Sequence, residues 1–164
     1  MTLNILFLDY DGVVNIPMWS NDGKRCRYNS PSDNAVNNFQ ACQWISELCE
    51  KYDYKIVVTS TWRFSPNYKE CLYNGGLRDT VKVIGRVISS KDGNREHEIQ
   101  QFLDEHQDID NFIIIDDDII KGFNSHFVKC RTDCGFNQYE FSQAVECHKS
   151  QELRKQVNNN EQRN

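Results

Sequence analysis

Three short runs of apolar residues stand out along this chain, and each of them ends at polar residues. The runs are ILFL at 5–8, KIVV at 55–58 and NFIII at 111–115. Apolar runs of this length, bounded by polar residues, are typical of strands that are buried on both faces of a parallel sheet. The pattern therefore predicts three central strands that run in the same direction.

The segment between the first two runs has a helical pattern. Its apolar residues recur at intervals of three to six positions up to about Tyr52, and Ser32 or Asp33 is placed to cap the helix. A helix between two apolar strands is a βαβ unit, which favours parallel pairing with a right-handed crossover. This unit indicates an α/β fold.

The other segments predict smaller elements around this unit. Residues 15–33 have loop composition and could at most form a β-hairpin flap, which would lie beside the ends of the strands. The remaining predicted elements are a short helix within 64–78, a strand or edge hairpin at 81–88, a helix at 95–106, a strand at 126–129 and a helix at 137–148. We predict one domain over residues 1–148 and a polar, disordered tail over 149–164.

Composition and charge exclude several classes of protein. The 164 residues carry a formal net charge of −5, which does not favour a general binder of nucleic acid or of anionic membranes, although a local basic patch stays possible. The apolar runs are too short to span a bilayer, and the amino terminus lacks the pattern of a signal peptide. The seven cysteines are odd in number and unevenly spaced, which favours reduced thiols. We therefore expect a cytoplasmic protein that does not bind membranes.

The first apolar run ends at two acids, Asp9 and Asp11, and Gly12 follows them. Ligands bind beyond the carboxyl ends of parallel strands, and carboxylates two positions apart can converge there. Two carboxylates that are close together repel each other unless a cation lies between them. The pattern is typical of a site for Mg²⁺, and a calcium loop or an ordinary acidic turn is the alternative.

Polar residues also follow the second and third runs. Thr59 and Ser60 come directly after the second run, where hydroxyls are placed to donate to a phosphate. Asp116, Asp117 and Asp118 end the third run and bring further carboxylates to the same edge of the sheet. The three strand ends together predict a site that binds both a cation and a phosphate.

These motifs resemble those of the haloacid dehalogenase-like (HAD) superfamily. LDYDGVV at 8–14 resembles its first motif, IVVTSTWR at 56–63 its second, and IIIDDD at 113–118 its fourth. The TSTWR ending is similar to that of cap-less HAD domains associated with nucleic-acid repair polypeptides, and the spacing of the motifs leaves no room for a large cap domain. The resemblance implies a Rossmann-like three-layer sandwich with a central, mostly parallel sheet.

The resemblance also implies roles for the residues of the first two motifs. Asp9 would be the nucleophile and a ligand of Mg²⁺. Asp11 would be the general acid and base, and its backbone carbonyl would also bind the metal. Thr59 would bind the phosphate, with Ser60 close by, and Arg63 would either bind the phosphate as well or form a structural salt bridge.

The other two motifs supply a cation and further metal ligands. Arg95 matches the basic residue of the third motif as the repair-type relatives have it, a catalytic residue that bridges the nucleophile and the phosphate, and Lys91 is the alternative. Asp117 would be a direct metal ligand, whereas Asp116 would bind the metal through water or orient Arg95. Asp118 is interpreted as the cap of a following helical turn.

The function implied is that of a Mg²⁺-dependent phosphohydrolase with an aspartyl-phosphate intermediate. A site without a cap admits a bulky phosphomonoester, such as the 3′- or 5′-phosphate of a polynucleotide. The alternatives are a phosphotransferase, a phosphatase of nucleotides or phosphoproteins, a receiver domain, and a catalytically silent binding module. The sequence makes no prediction of the oligomeric state.

Some residues near the motifs have a simpler interpretation than a catalytic one. Trp62 could stack on a nucleotide base, but packing is the expected role. His97 is expected on a helix surface rather than as a general base. A zinc site would need His126, Cys130, Cys134 and Cys147, whose spacings do not match the usual knuckles, so buried thiols are expected instead.

Overall fold

The computed structural model describes residues 2–162 of the chain, apart from the side chain of residue 26. Within that range the chain forms seven strands and four α-helices. The strands are β1 Leu3–Leu8, β2 Met18–Trp19, β3 Arg25–Arg27, β4 Tyr54–Val58, β5 Val83–Arg86, β6 Ile109–Asp116 and β7 Phe127–Lys129. The helices are α1 Phe39–Tyr52, α2 Tyr68–Asn74, α3 Arg95–Glu105 and α4 Gln138–Glu161.

Five of the strands form one parallel sheet in the order β5-β4-β1-β6-β7. Leu8, the last residue of β1, pairs with Val58 of β4 on one side and with Ile115 of β6 on the other. The three apolar runs of the sequence are therefore the three central strands, and they end side by side. This register brings the polar residues that follow each run to one edge of the sheet.

Helices cover both faces of the sheet, as all-parallel sheets require. Leu6 and Leu8 of β1 belong to the core that α1, α2 and α4 complete, whereas Ile5 and Phe7 point to the opposite face, where α3 packs. The alternation follows from the period of two along a strand. The predicted α/β three-layer sandwich is thus confirmed.

The segment before α1 contains no large cap. β2 and β3 pair as a two-stranded antiparallel hairpin, the largest element predicted for it. The guanidinium of Arg25 in this hairpin donates to Asp133 at 2.6 Å and so connects the hairpin to the loop after β7.

The predicted start of α1 is wrong. Residues Pro31–Asp33 form only a short 3₁₀ turn, which ends at Asn34 in the left-handed conformation. The helix begins at Phe39, and Asn38 caps it by accepting a hydrogen bond from the amide of Ala41. Both segments carry residues that favour a helix start, and the left-handed residue between them prevents one continuous helix.

The predicted disorder of residues 149–164 is also wrong as far as residue 161, because α4 continues to Glu161. Gln151 is buried, and its amide group exchanges two hydrogen bonds with the backbone of Phe112, at 2.9 and 3.2 Å. Lys155 forms an ion pair with Asp110 at 2.8 Å. Polar side chains therefore attach this turn of the helix to a part of β6 that precedes its pairing with β7.

No helix among the described residues is both long enough and apolar enough to cross a lipid bilayer.

Candidate active site

Three carboxylates converge at the edge where the central strands end. Asp9, Asp116 and Asp117 each place an oxygen within 4.8 Å of the others. Asp9 follows β1 and Asp116 ends β6, and the amide of Asp9 donates to the carbonyl of Ile115 at 3.1 Å. The in-register pairing of two parallel strands is therefore what brings the acids of the first and fourth motifs together.

Burial makes the ionised state of these carboxylates unfavourable. Asp9 is 5% exposed and Asp116 is fully buried. Burial raises the pKa of the Asp9 carboxyl well above its usual range, the negative charges of Asp116 and Asp117 raise it further, and the positive charge of Arg95 opposes them. The cluster therefore favours the binding of additional positive charge.

One cation of the chain already lies in the cluster. Arg95 is the first residue of α3, and its Nη1 lies 2.5 Å from Oδ2 of Asp116 and 3.6 Å from Oδ2 of Asp9. Burial would lower the pKa of Arg95, but the charges of Asp9 and Asp116 outweigh it and raise the pKa. Lys91 is exposed on the loop before the helix. Of the two residues considered for the third motif, the structure brings Arg95 to the acids.

The carboxylate of Asp11 is held by two side chains from different parts of the chain. Its Oδ1 accepts hydrogen bonds from Nδ2 of Asn15 at 2.6 Å and from Nε1 of Trp62 at 3.3 Å. Burial raises the pKa of Asp11, and these two hydrogen bonds partly offset the rise. Trp62 thus packs in the core and also orients an acid of the first motif, a role that the sequence pattern did not reveal.

Gly12 is required by the close approach of the first and fourth motifs. Its φ of +76° lies in the left-handed region, and a Cβ at this position would lie 2.1 Å from Oδ2 of Asp117. The same oxygen of Asp117 accepts a hydrogen bond from the hydroxyl of Thr132 at 2.8 Å. Thr132 was not predicted as a site residue, because it lies in the loop after β7 and only the fold brings it here.

The two hydroxyls that follow β4 have different environments. Thr59 is fully buried, and its hydroxyl has no hydrogen-bond partner among the described atoms. Buried hydroxyls are normally paired, so this one is available to a ligand at the strand ends. Oγ of Ser60 accepts a hydrogen bond from the amide of Trp62 and caps a short 3₁₀ turn. The structure therefore gives Ser60 a local capping role, and its binding of phosphate stays a prediction.

Arg63 forms its ion pair with Glu98, outside the cluster of Asp9, Asp116 and Asp117. Its guanidinium is buried, pairs with the carboxylate of Glu98 on α3 at 3.0 and 3.1 Å, and donates to the carbonyl of Thr59 at 2.6 Å. The structure therefore contains the alternative of a structural salt bridge, whereas the binding of phosphate by Arg63 stays a prediction. The pair connects the strand-end turn after β4 to α3.

Asp118 does not cap a helix, because no helical turn follows it. Its backbone amide instead donates to Oδ1 of Asp116 at 2.9 Å and helps to orient that carboxylate. His97 lies on the surface of α3, as expected, and contacts Asp92. The predicted cap at Asp118 is therefore wrong, because the residues directly after it are not helical.

The cysteines do not form a zinc site within the described part of the chain. The side chains described belong to free thiols, of which Cys130 is buried and Cys134 is exposed. The acids Asp9, Asp116 and Asp117 are the one group of potential metal ligands that the described residues bring together. All of their donor atoms are carboxylate oxygens, which suit Mg²⁺ better than zinc.

Comparison with known families agrees with this geometry. A model of the family described as the HAD domain in Swiss Army Knife RNA repair proteins matches residues 5–141, a range that includes all four motifs. No curated protein matches the chain. A HAD domain suggests a hydrolase of the phosphatase type. The parallel sheet, the small hairpin in place of a cap and the match over most of the chain lead to one conclusion: this protein belongs to the family of HAD domains found in Swiss Army Knife RNA repair proteins.

Proposed function

We propose that this protein is a Mg²⁺-dependent phosphohydrolase that removes a phosphate from the end of a polynucleotide through an aspartyl-phosphate on Asp9. The observation that carries the proposal is the convergence of Asp9, Asp116 and Asp117 within 4.8 Å. Arg95 and the unpartnered hydroxyl of Thr59 belong to the same strand-end edge. This arrangement combines a nucleophile, metal ligands and phosphate donors.

The residues present fit a magnesium ion. Asp9 and Asp117 would be direct ligands together with the backbone carbonyl of Asp11, and Asp116 would act through water. Among the described residues Arg95 pairs with Asp9 and Asp116, yet the pKa of Asp9 stays raised by burial and by its acidic neighbours, so the cluster favours further positive charge. A bound Mg²⁺ would supply that charge and would also neutralise the oxygens of a phosphate.

Asp9 and Asp11 would divide the chemistry between them. The carboxylate of Asp9 attacks phosphorus, the bond from phosphorus to the leaving oxygen breaks, and Asp11 donates a proton to that oxygen. In the second step Asp11 accepts a proton from a water molecule that attacks phosphorus, and the bond to Asp9 breaks. The hydrogen bonds from Asn15 and Trp62 hold Asp11 in position for both transfers.

Two further side chains would stabilise the transferred phosphoryl group. The hydroxyl of Thr59 donates to one equatorial oxygen, which gives this buried group the partner that it lacks within the protein. The guanidinium of Arg95 remains bound to Asp116 and directs its charge toward the group on Asp9. Donors fixed in this way before the reaction lower its barrier without reorganisation.

The small hairpin and the family support a polynucleotide substrate. The segment after the first motif forms only the small hairpin of β2 and β3 and no large cap, which suits a bulky end group better than a small metabolite. The family whose model matches is named for RNA repair. We therefore place the phosphate at the 3′ or 5′ end of an RNA strand.

A substrate panel tests this function. Phosphate release is measured from oligoribonucleotides with a 3′- or a 5′-phosphate, from mononucleotides and from phosphopeptides, each with Mg²⁺ and with EDTA. We expect Mg²⁺-dependent release, with a higher kcat/KM for one type of oligonucleotide than for mononucleotides or phosphopeptides. Activity that persists in EDTA, or no release from any substrate, would contradict the proposal, and a preference for phosphopeptides would overturn its substrate class.

A further inference from the structure

A groove of about 560 Å³ opens between β7 and the start of α4. Its lining includes Lys129 and Arg131 from β7 and the loop after it, and Asn137, Tyr139 and Glu140 from the start of α4. The volume lies within the range of sites that bind small molecules, roughly 300–1,000 Å³. The reaction described above does not use this groove.

The groove adjoins the acids through the pairing of β7 with β6. Lys129 pairs with Asp116 in the register of the sheet, and the amide of Cys130 donates to the carbonyl of Asp116 at 2.8 Å. Two residues further on, the hydroxyl of Thr132 donates to Asp117 at 2.8 Å. Arg131 therefore lies on a segment whose neighbours on both sides contact the proposed metal ligands.

The side chains of the groove combine positive charge with an aromatic ring. Lys129 and Arg131 are exposed, and the ion pairs found among the described residues include neither of them. Tyr139 is 68% exposed, and its ring makes none of the aromatic or cation–π contacts of the described residues. The carboxylate of Glu140 is engaged, because it accepts a hydrogen bond from the amide of Asn137 at 3.1 Å.

We propose that this groove binds the nucleotides next to the terminal phosphate of a single-stranded polynucleotide. Lys129 and Arg131 bind backbone phosphates, and Tyr139 stacks on a base. This inference rests on the proposed function. It adds the surface along which the polynucleotide extends from the acids. It also gives the acidic chain the local basic surface that such a substrate needs.

Charge and chemistry favour this occupant. Unpaired cations that follow a backbone, together with an exposed aromatic face, are the combination by which proteins hold single strands without reading their sequence. The net charge of −5 opposes long contacts with a duplex. A peptide would need neither a stacking surface nor two cations beside a phosphate site.

The first test measures binding without catalysis. Fluorescence anisotropy follows the full chain as it binds a labelled single-stranded oligoribonucleotide that has no terminal phosphate, in Mg²⁺ and at several salt concentrations. We expect the double variant Lys129→Ala/Arg131→Ala to bind at least about tenfold more weakly. The slope of log affinity against log salt should fall by about 1.4, since each lost phosphate contact on a single strand contributes about 0.7.

Matched variants separate the groove from general effects of charge and shape. Tyr139→Ala should weaken binding about tenfold, whereas Tyr139→Phe, which keeps the ring, should stay within about twofold. Lys82→Ala removes an exposed lysine next to β5, at the opposite edge of the sheet, and should leave affinity and salt slope unchanged. If Lys82→Ala lowered the affinity for the oligoribonucleotide as much as the groove variants do, net charge alone would explain the loss. That result would overturn the proposal.

The second test uses turnover. For the double variant, kcat/KM on a phosphorylated oligoribonucleotide should fall at least about fivefold more than kcat/KM on an aryl phosphate, which has no neighbouring nucleotides. Unchanged oligonucleotide binding in all groove variants would overturn the groove and leave the phosphatase proposal standing. Strong binding that depends on the groove, with no phosphate release from any substrate, would support the groove and refute the phosphatase.

Discussion

Two arginines near the strand ends, Arg63 and Arg95, carry the same charge and have opposite surroundings. Arg95 was predicted to bind phosphate, and Arg63 was predicted either to bind phosphate or to form a structural salt bridge. Arg95 lies beside Asp9 and Asp116, whose oxygens are 3.6 and 2.5 Å from its Nη1. Arg63 is buried against Glu98 and the carbonyl of Thr59. The role of an arginine is therefore not decided by its position near a motif. It is decided by the carboxylate with which its side chain pairs.

Helix α3 separates the two roles. Arg95 is its first residue and reaches the acids at the sheet edge, whereas Glu98, three residues later, turns inward to receive Arg63. One turn of helix thus supplies a cation to the proposed active site and an anion to the structural pair. Changes at Arg95 should affect activity first, and changes at Arg63 should affect stability first.

The largest effect is expected at the acid that Arg95 faces. Asp9→Asn keeps the shape of the side chain and removes the nucleophile, so kcat/KM should fall at least about 10⁴-fold. Circular dichroism and thermal unfolding check that the fold is kept. Turnover near the wild-type rate would remove Asp9 from the role of nucleophile.

Arg63→Met should cost stability. Removing one partner of a buried ion pair leaves the other charge unpaired, which typically lowers the free energy of unfolding by about 3–5 kcal/mol. Urea denaturation measures this value. The double variant Arg63→Met/Glu98→Leu should recover most of the loss, because no buried charge is then left alone. A loss of activity at unchanged stability would show that Arg63 contacts substrate after all.

Arg95→Met should lower activity. Without the guanidinium the transferred phosphoryl group loses a fixed positive charge, which is expected to lower kcat/KM about 10²–10³-fold. Arg95→Lys keeps the charge and should lose less. Steady-state kinetics in saturating Mg²⁺ give the values of kcat/KM. If Arg95→Met lowered kcat/KM no more than Lys91→Ala does, Arg95 would not be the basic residue of the third motif.

The smallest effect is expected at Thr59. Its hydroxyl has no partner within the described structure, so Thr59→Val should not lower the free energy of unfolding, whereas kcat/KM should fall about tenfold through the lost donor. Thr59→Ser keeps the hydroxyl and should restore most of the activity. Destabilisation by Thr59→Val would mean that the hydroxyl supports the fold instead of a ligand.

The sequence allowed much of this arrangement to be predicted, because apolar runs that end in acids are local signals. The runs at 5–8, 55–58 and 111–115 became the three central strands, and their last residues became neighbours through the sheet register. Arg95 could be considered because it opens a helix. Each of these features lies within a few residues of the pattern that predicts it.

What could not be predicted depends on contacts between distant residues. The choice between two roles for Arg63 needed Glu98, which lies 35 positions away. The hydrogen bond of Thr132 to Asp117 and the attachment of Gln151 to β6 join elements that only the fold brings together. A hydrophobic pattern also gives no signal when a polar side chain pairs with backbone, and so the end of α4 was mistaken for a disordered tail.

The most direct test of the central claim is to trap the phosphoryl group on the protein. Asp11→Asn slows the second step, and an aryl phosphate with an acidic phenol needs little help from Asp11 in the first, so the intermediate should accumulate. Acid quenching and peptide mass spectrometry then locate the modification. We predict one phosphoryl group on the peptide that contains Asp9, and none in the Asp9→Asn variant. A label on Asp116, on Asp117 or on no residue, in a protein that still releases phosphate, would contradict the account.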